Sequence, residues 1–251
     1  MTQITLSLPT FNTPQHLVQR MIRSLQNQTF GDFVCVVTND GGREPWMPRG
    51  DDRFILYARK ANRGRYFSDQ VVLQAAQTPF WKPVDDDDWV DLDHLSSLIE
   101  AIEEGPVMSS WYHHWREGAR QHRPVRLDKV RPGYITHFAF HCAALFPTEQ
   151  LRAHGGPHPD MRLGDDTRLV NHAYQRMGAK VIDRPTYHRV KRKGSLMTTP
   201  ATNMKSAARA KDRKLRAKVW HAWSVENPLP FVKPETAEAL AIEVEKLKGM
   251  L

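Results

Sequence analysis

The chain has 251 residues, 40% of them hydrophobic and 25% charged, which is enough to bury a large core without disulfide staples. Its two cysteines, Cys35 and Cys142, sit in the apolar runs FVCVV and FHCAALF, where a thiol behaves as a small hydrophobe; this excludes a disulfide scaffold and an all-cysteine zinc site. The opening MTQITLSLPTFN has neither a basic nor an apolar signal region, and no run approaches the roughly 20 apolar residues of a membrane span, so a cytoplasmic protein, soluble or peripheral, with no transmembrane segment is expected.

The net charge of +8 is unevenly spread. Between residues 184 and 218 twelve Lys and Arg stand against one acid, Asp212, so the remainder is slightly acidic. A solvated helical face would explain this, and so would attraction to an anionic partner: a nucleotide, a nucleic acid or membrane headgroups.

The first half alternates short apolar runs with amphipathic stretches, the pattern of βαβ units. Ile4 to Pro9 reads as a buried strand. Thr13 and Pro14 suit the start of a helix whose Leu17, Val18, Met21, Ile22 and Leu25 recur at helical spacing. Phe33 to Asn39 is a second strand, closed by Asp40, Gly41 and Gly42. A third strand covers Arg53 to Ala58, a helix Tyr66 to Ala76, and a short strand Phe80 to Val84. Leu95, Leu98, Ile99 and Ile102 mark the next helix, with Asp91 or Asp93 near its start. Beyond it, 106–115 and 134–146 read as strands separated by a charged loop over 116–131. A helix over 167–177, a strand over 180–183 and two helices over 205–223 and 234–247 complete the chain.

Ligands of open α/β sheets bind at the carboxyl ends of the strands. The residues there are polar and turn-forming after each early strand: Thr10 and Asn12, Asp40 and Gly41, Asn62 and Gly64, then Asp85 to Asp88. One crevice along one sheet edge is therefore predicted. Adjacent carboxylates repel unless a cation or hydrogen-bond donors neutralise them. At a strand end they form an oxygen-donor site suited to Mg²⁺ or Mn²⁺, or else a solvated acidic turn before the next helix. Asp166, in GDDT at a helix start, reads as a catalytic carboxylate or as an acid that favours the helix dipole. The cluster Trp111, Tyr112, His113, His114 and Trp115 either packs by alternation or stacks on a sugar or base.

Four segments carry a resemblance. ITLSLPTFNTPQHLVQRMIRSLQNQTFGDFVCVVTNDGG, ANRG, VDDDDWVDLDHL and GDDTRLVNHAYQRMGAKV follow in this order. They resemble the opening strands, the Asn-x-Gly element, the D-x-D-D (DXD) segment and the Gly-Glu-Asp-Thr helix of family 2 glycosyltransferases, over about Ile4 to Ser195. The resemblance implies an α/β chain of the GT-A fold, a Rossmann-like, mixed but mostly parallel sheet flanked by helices. A catalytic domain over 1–195, with a nucleotide-sugar-binding half (1–105) and an acceptor-binding half (106–195), would precede a basic helical C-terminal extension over 196–251.

It further implies a metal-dependent, inverting hexosyltransferase that moves a sugar from a nucleoside-diphosphate sugar, a UDP-sugar being favoured, to a hydroxyl of a saccharide, protein or lipid-linked acceptor. Pro9, Thr10 and Asn12 would lie beside the nucleoside, Asp40 on the base edge and Asp85 on the ribose or the base side of the donor, with Asp86, Asn62, Gly64 and Arg65 completing the donor site. Asp87 would bind Mn²⁺ or Mg²⁺. Asp166, with Asp165 before it, would be the general base, although Asp165 is one methylene shorter than the family's Glu. In TYHRVKRKGSL, Lys191 stands where the family has His; His188 is then the imidazole left for the metal, and Arg189 and Lys191 could neutralise the diphosphate. Two other readings of the basic segment stay open: the same catalytic body acting on modified nucleic acid, or a non-catalytic nucleotide-sugar or nucleic-acid binding module.

Overall fold

The computed structural model describes residues 2–116, 119–196 and 198–251. In chain order the elements are β1 (Ile4–Thr10), α1 (Gln15–Gln26), β2 (Phe33–Asp40), β3 (Phe54–Arg59), α2 (Arg65–Ala75), β4 (Phe80–Pro83), β5 (Trp89–Val90), α3 (His94–Ala101), β6 (Val107–Ser109), β7 (Trp111–Arg116) and β8 (Ala119–Arg123). They continue as β9 (Ala144–Pro147), α4 (Thr148–Ala153), α5 (Asp165–Arg176), β10 (Lys180–Ile182), β11 (Tyr187–Val190), α6 (Ala207–Ala222) and α7 (Pro234–Lys248).

A seven-stranded sheet runs β10-β6-β9-β4-β1-β2-β3. Its strands are parallel except β9, which lies antiparallel to both β4 and β6. Because β1 is central, it is buried along its whole length. Ile4, Leu6 and Leu8 join Val18, Met21, Ile22 and Leu25 of α1 on one face. On the other face, Phe67, Val71 and Val72 of α2 pack with Leu169 and Val170 of α5 and with Val244 and Leu247 of α7. The polar Thr5 and Ser7 of β1 look the same way and are satisfied by Thr78 and Asp69, at 2.8 and 2.6 Å. Helices on both faces make this a doubly wound α/β body.

A second, four-stranded sheet, β5-β11-β7-β8, stands beside the aspartate segment. It divides the expected 106–115 strand at Ser110: β6 joins the large sheet and β7 the small one. The expected loop over 116–131 carries β8, antiparallel to β7 and rich in exposed polar residues, which hid its strand character; residues 117 and 118 of that stretch lie outside those described. The expected strand over 134–146 shrinks to β9. Upstream of it, Asn171 binds both the carbonyl and the amide of Thr136, at 2.7 and 3.2 Å, so no ladder partner is needed there.

The helix starts depart from expectation too. Pro14, not Thr13, occupies the cap position of α1, with no side-chain cap. Asp93 sits at the start of α3, but its carboxylate takes Arg184 at 2.8 Å rather than a backbone amide. The C-terminal helices close on the body. α7 lies along α2, where Tyr57 donates to Glu243 at 2.5 Å. The end of α6 is clamped by His154 stacked on Trp223 at 5.1 Å and by Arg176 over Trp220 at 4.0 Å. Among the described residues no helix is long and apolar enough to cross a membrane.

Candidate active site

The carboxyl ends of β1, β2 and β4 open into a cavity of about 670 Å³. Pro9, Thr10, Asp40, Asn62, Gly64 and Arg65 line it, as do all four aspartates from Asp85 to Asp88. Asp166 enters from the start of α5, Arg189 and Arg192 from β11 and the segment after it, and Arg209 from the first turn of α6. The basic segment therefore supplies one wall of the crevice.

At the end of β2, Asp40 is buried and organises the Asn62 turn. Its Oδ1 accepts from Arg59 Nη2 at 2.7 Å and from the Arg63 amide at 2.9 Å, and its Oδ2 accepts from the Gly64 amide at 2.7 Å. Gly41 follows with φ +79°; a Cβ there would stand 2.7 Å from the Ala61 carbonyl carbon, so glycine permits the two loops to touch.

The aspartates occupy different environments. Asp85 pairs with Arg65, which also holds Asp69 at 3.1 Å. Asp86 accepts from the hydroxyls of Thr10 and Thr13; burial and then the Asp87 charge nonetheless push its carboxyl up to about 6. Asp87 takes Arg192 Nε at 2.6 Å. Asp88 is buried and accepts from the Val190 amide at 2.7 Å, while burial and Asp87 raise its pKa well above the usual carboxylate range. Its Oδ2 has no hydrogen-bond partner among the described residues. The turn itself is held from beneath by Arg20 of α1, which donates to the carbonyls of Asp87 and Asp88 and lies over Trp89 at 4.6 Å.

Asp166 lines the same cavity as Asp85 to Asp88. The Tyr66 hydroxyl donates to its Oδ1 at 3.4 Å and accepts from its amide at 3.2 Å. Burial alone would raise its pKa, but His141, His137 and Arg189 outweigh that and hold the carboxyl at about 2, so Asp166 stands ionised.

Several expected residues are not in the crevice. Asp165 is fully buried, with Arg168 Nε on its Oδ1 at 2.7 Å and Arg168 Nη2 and the His158 amide on its Oδ2 at 2.8 and 2.7 Å; every oxygen is used structurally. Asn12 turns outward with φ +55° and accepts from the Arg43 amide at 2.9 Å. Lys191 is exposed outside the cavity, and Arg192, one residue on, takes the inward place. His188 lies on the far face of β11. Its Nε2 meets Asp91 at 3.0 Å, its Nδ1 meets His114 at 3.0 Å and its ring stacks on Trp89 at 4.8 Å, so neither nitrogen is left for a metal.

Sequence reasoning missed Arg192, Tyr66, His141 and Arg162, whose Nη1 donates to Asn62 at 2.8 Å. It missed as well the fully buried Lys82 beneath the site, which donates to the carbonyls of Cys142 and Ala144 and which burial lowers to about 7. A lysine inside the apolar FWKPV was the one readable signal.

Among the described residues no three His, Cys, Asp or Glu side chains converge as a metal cage. The donor type is nevertheless right for a hard cation, which commonly takes one or two carboxylates plus substrate phosphates; Asp85 and Asp87 reach the cavity, each already met by a guanidinium.

Known structures share this architecture. A crystal structure of S. aureus TarS residues 1–349 superposes with a TM-score of 0.64 at 16% identity, covering 97% of this chain and 70% of that one. The same fragment in complex with UDP-GlcNAc gives 0.66 at 17% identity, covering 96% and 71%. Against the longer TarS structure the score is 0.63 at 14% identity, and only 43% of that chain is spanned. At these identities the likeness establishes the GT-A fold. No curated protein sequence matches the chain significantly. The profile of glycosyl transferase family 2 matches residues 5–154, more than half of the sequence, and the chain belongs to that family.

Proposed function

We propose that this glycosyltransferase transfers a sugar from a nucleoside-diphosphate sugar, a UDP-sugar being favoured, to an acceptor hydroxyl with inversion. The observation that carries the reading is the convergence of Asp40, Asp85 to Asp87 and Asp166, from distant parts of the chain, on one cavity of about 670 Å³. Support also comes from the TarS fragment, whose structure was determined in complex with UDP-GlcNAc.

In this reading Asp166 accepts the proton of the attacking hydroxyl. The hydroxyl oxygen forms its bond to the anomeric carbon as the bond to the diphosphate oxygen breaks, and the nucleoside diphosphate leaves. Tyr66 fixes the base through both its amide and its carboxylate. Pro9, Thr10, Asp40, Asn62 and Gly64 seat the nucleoside, while Arg65, Arg189 and Arg192 meet the developing negative charge. Asp87 is the residue that would hold Mn²⁺ or Mg²⁺, with Arg192 displaced. Such an ion, when bound, supplies charge neutralisation of the leaving diphosphate.

The test is thermal stability with UDP, GDP, dTDP and their sugars, each with and without Mn²⁺. A ligand at 100 times its dissociation constant stabilises the native state by about 2.7 kcal/mol, equivalent to about 8 °C for a chain of this size. A nucleotide-selective shift supports the reading, and its dependence on Mn²⁺ decides the metal. The absence of any shift overturns it.

A further inference from the structure

We infer that the outer face of β7, β8 and β11 is an acceptor platform that selects an anionic saccharide, one bearing carboxylates or phosphates. This rests on the glycosyltransferase reading above.

The register fixes which side chains share this face. β11 pairs in parallel with β7, placing Arg189 beside His113; β8 pairs antiparallel with β7, placing Arg123 opposite Trp111 and Gln121 opposite His113. Side chains alternate along a strand, so Trp111 and His113 point one way, and past the register shift between His114 and Arg116 the Trp115 ring lies 6.4 Å from that of His113. The Lys191 amide donates to the His114 carbonyl at 2.7 Å, which extends the ladder and puts Lys191 on the Arg189 side.

The inner end of this face is core, where Trp111 and Arg189 both lie against Phe140. Along the rest of the face Trp115 is 42% exposed, and on β8 Gln121, opposite His113, and Arg123, opposite Trp111, are exposed. Arg123, Lys191 and Arg189 have no acidic side chain in a salt bridge among the described residues. All three lie near His113, whose pKa falls to about 4 through burial first and then the charges of Arg189, Arg123, Lys191 and His114. The face thus offers an aromatic surface for a sugar ring, an amide, and in Arg123 and Lys191 two cations without a salt bridge among the described residues.

Its position fits an acceptor. Arg189 belongs both to this face and to the cavity holding Asp166, so the platform leads directly to the proposed base. The opposite face of the same strands is already filled by Trp89, Tyr112, His114 and His188 packed on one another.

The test measures binding of three oligosaccharides of equal length by calorimetry and tryptophan fluorescence: a neutral glucan, a uronate and a phosphodiester-linked saccharide, with single-stranded DNA as a fourth arm. At least one acidic saccharide should bind about ten-fold more tightly than the neutral one and weaken as salt is added. The tighter of the two acidic arms identifies carboxylate or phosphate as the group recognised. Arg123→Ala and Lys191→Ala should each weaken that binding about five-fold, and Trp115→Ala about ten-fold with loss of the fluorescence change. UDP-induced stabilisation should be unchanged in Arg123→Ala and Trp115→Ala. Equal binding of neutral and acidic saccharides, acidic binding indifferent to all three substitutions, or tighter binding to DNA would each overturn the inference. Acidic-saccharide binding without any nucleotide shift in the parent would instead overturn the donor reading alone.

Discussion

Replacing Asp165 by alanine separates two neighbouring carboxylates that the sequence presents as a pair. The side chains of Asp165 and Arg168 are both 0% exposed, and their two contacts, at 2.7 and 2.8 Å, are bidentate. Alanine at 165 leaves the Arg168 guanidinium in the core with the Gly156 carbonyl, at 2.6 Å, as its remaining partner, and strands the His158 amide. Breaking such a buried pair costs about 4 kcal/mol. At about 3 °C per kcal/mol for a chain of this length, the midpoint of thermal unfolding should fall by about 12 °C. Asp166→Ala, by contrast, should melt close to the parent and lose transfer. The assay is calorimetric unfolding of both variants beside a turnover assay with the donor identified by stability screening. Joint replacement of Asp165 by Leu and Arg168 by Met should recover much of the loss, because two apolar groups leave no charge stranded. An Asp165→Ala protein melting within about 2 °C of the parent, yet inactive, would refute the assignment of Asp165 to structure.

Asp166→Asn should retain nucleotide binding and remove transfer, read as an unchanged UDP-induced stability shift beside a loss of about 10²-fold or more in turnover. Asp87→Ala should abolish whatever part of that shift depends on Mn²⁺, measured as the difference between melts with and without the ion. Asp86, pushed up to about 6, holds its proton more tightly when folded than when unfolded. Its contribution to stability is therefore fully present below the unfolded value near 4 and is lost as pH rises through about 6. Denaturant titrations from pH 4 to pH 8 should show that loss, and Asp86→Asn should flatten it. Tyr66→Phe removes the hydroxyl that fixes Asp166; turnover should fall about ten-fold at unchanged nucleotide affinity, seen as an effect on kcat and not on donor binding.

Much of the large sheet is legible in the sequence because each early strand is a continuous apolar run ended by turn residues, and α1 shows its buried Val18, Met21, Ile22 and Leu25 at helical spacing. The crevice is legible for the same reason: whatever follows a parallel strand lies at one edge. The stretch from 106 to 147 is not, since its strands divide between two sheets and Asn171 replaces a ladder partner at Thr136. Within the site, the unreadable choices turn on single-residue rotations. Asp165 and Asp166 are adjacent at the start of α5, yet one is sealed in the core and the other faces the cavity. Arg189 and Arg192 reach the cavity while Lys191 between them does not, although the Lys191 amide still bonds the His114 carbonyl.

The placement of the last two helices sets the order in which the molecule becomes competent during synthesis. The strand ends that line the cavity are encoded early, but Arg192 and Arg209 of its wall come late, and Val244 and Leu247 of α7 pack in the cluster that buries the apolar side of α2. A nascent chain that has not yet reached α6 and α7 therefore carries an unfinished cavity wall and an α2 face without its α7 partners. Cutting the chain before α6 should therefore remove Arg209 from the cavity wall and strip Val244 and Leu247 from α2, so that loss of the site and loss of stability come together.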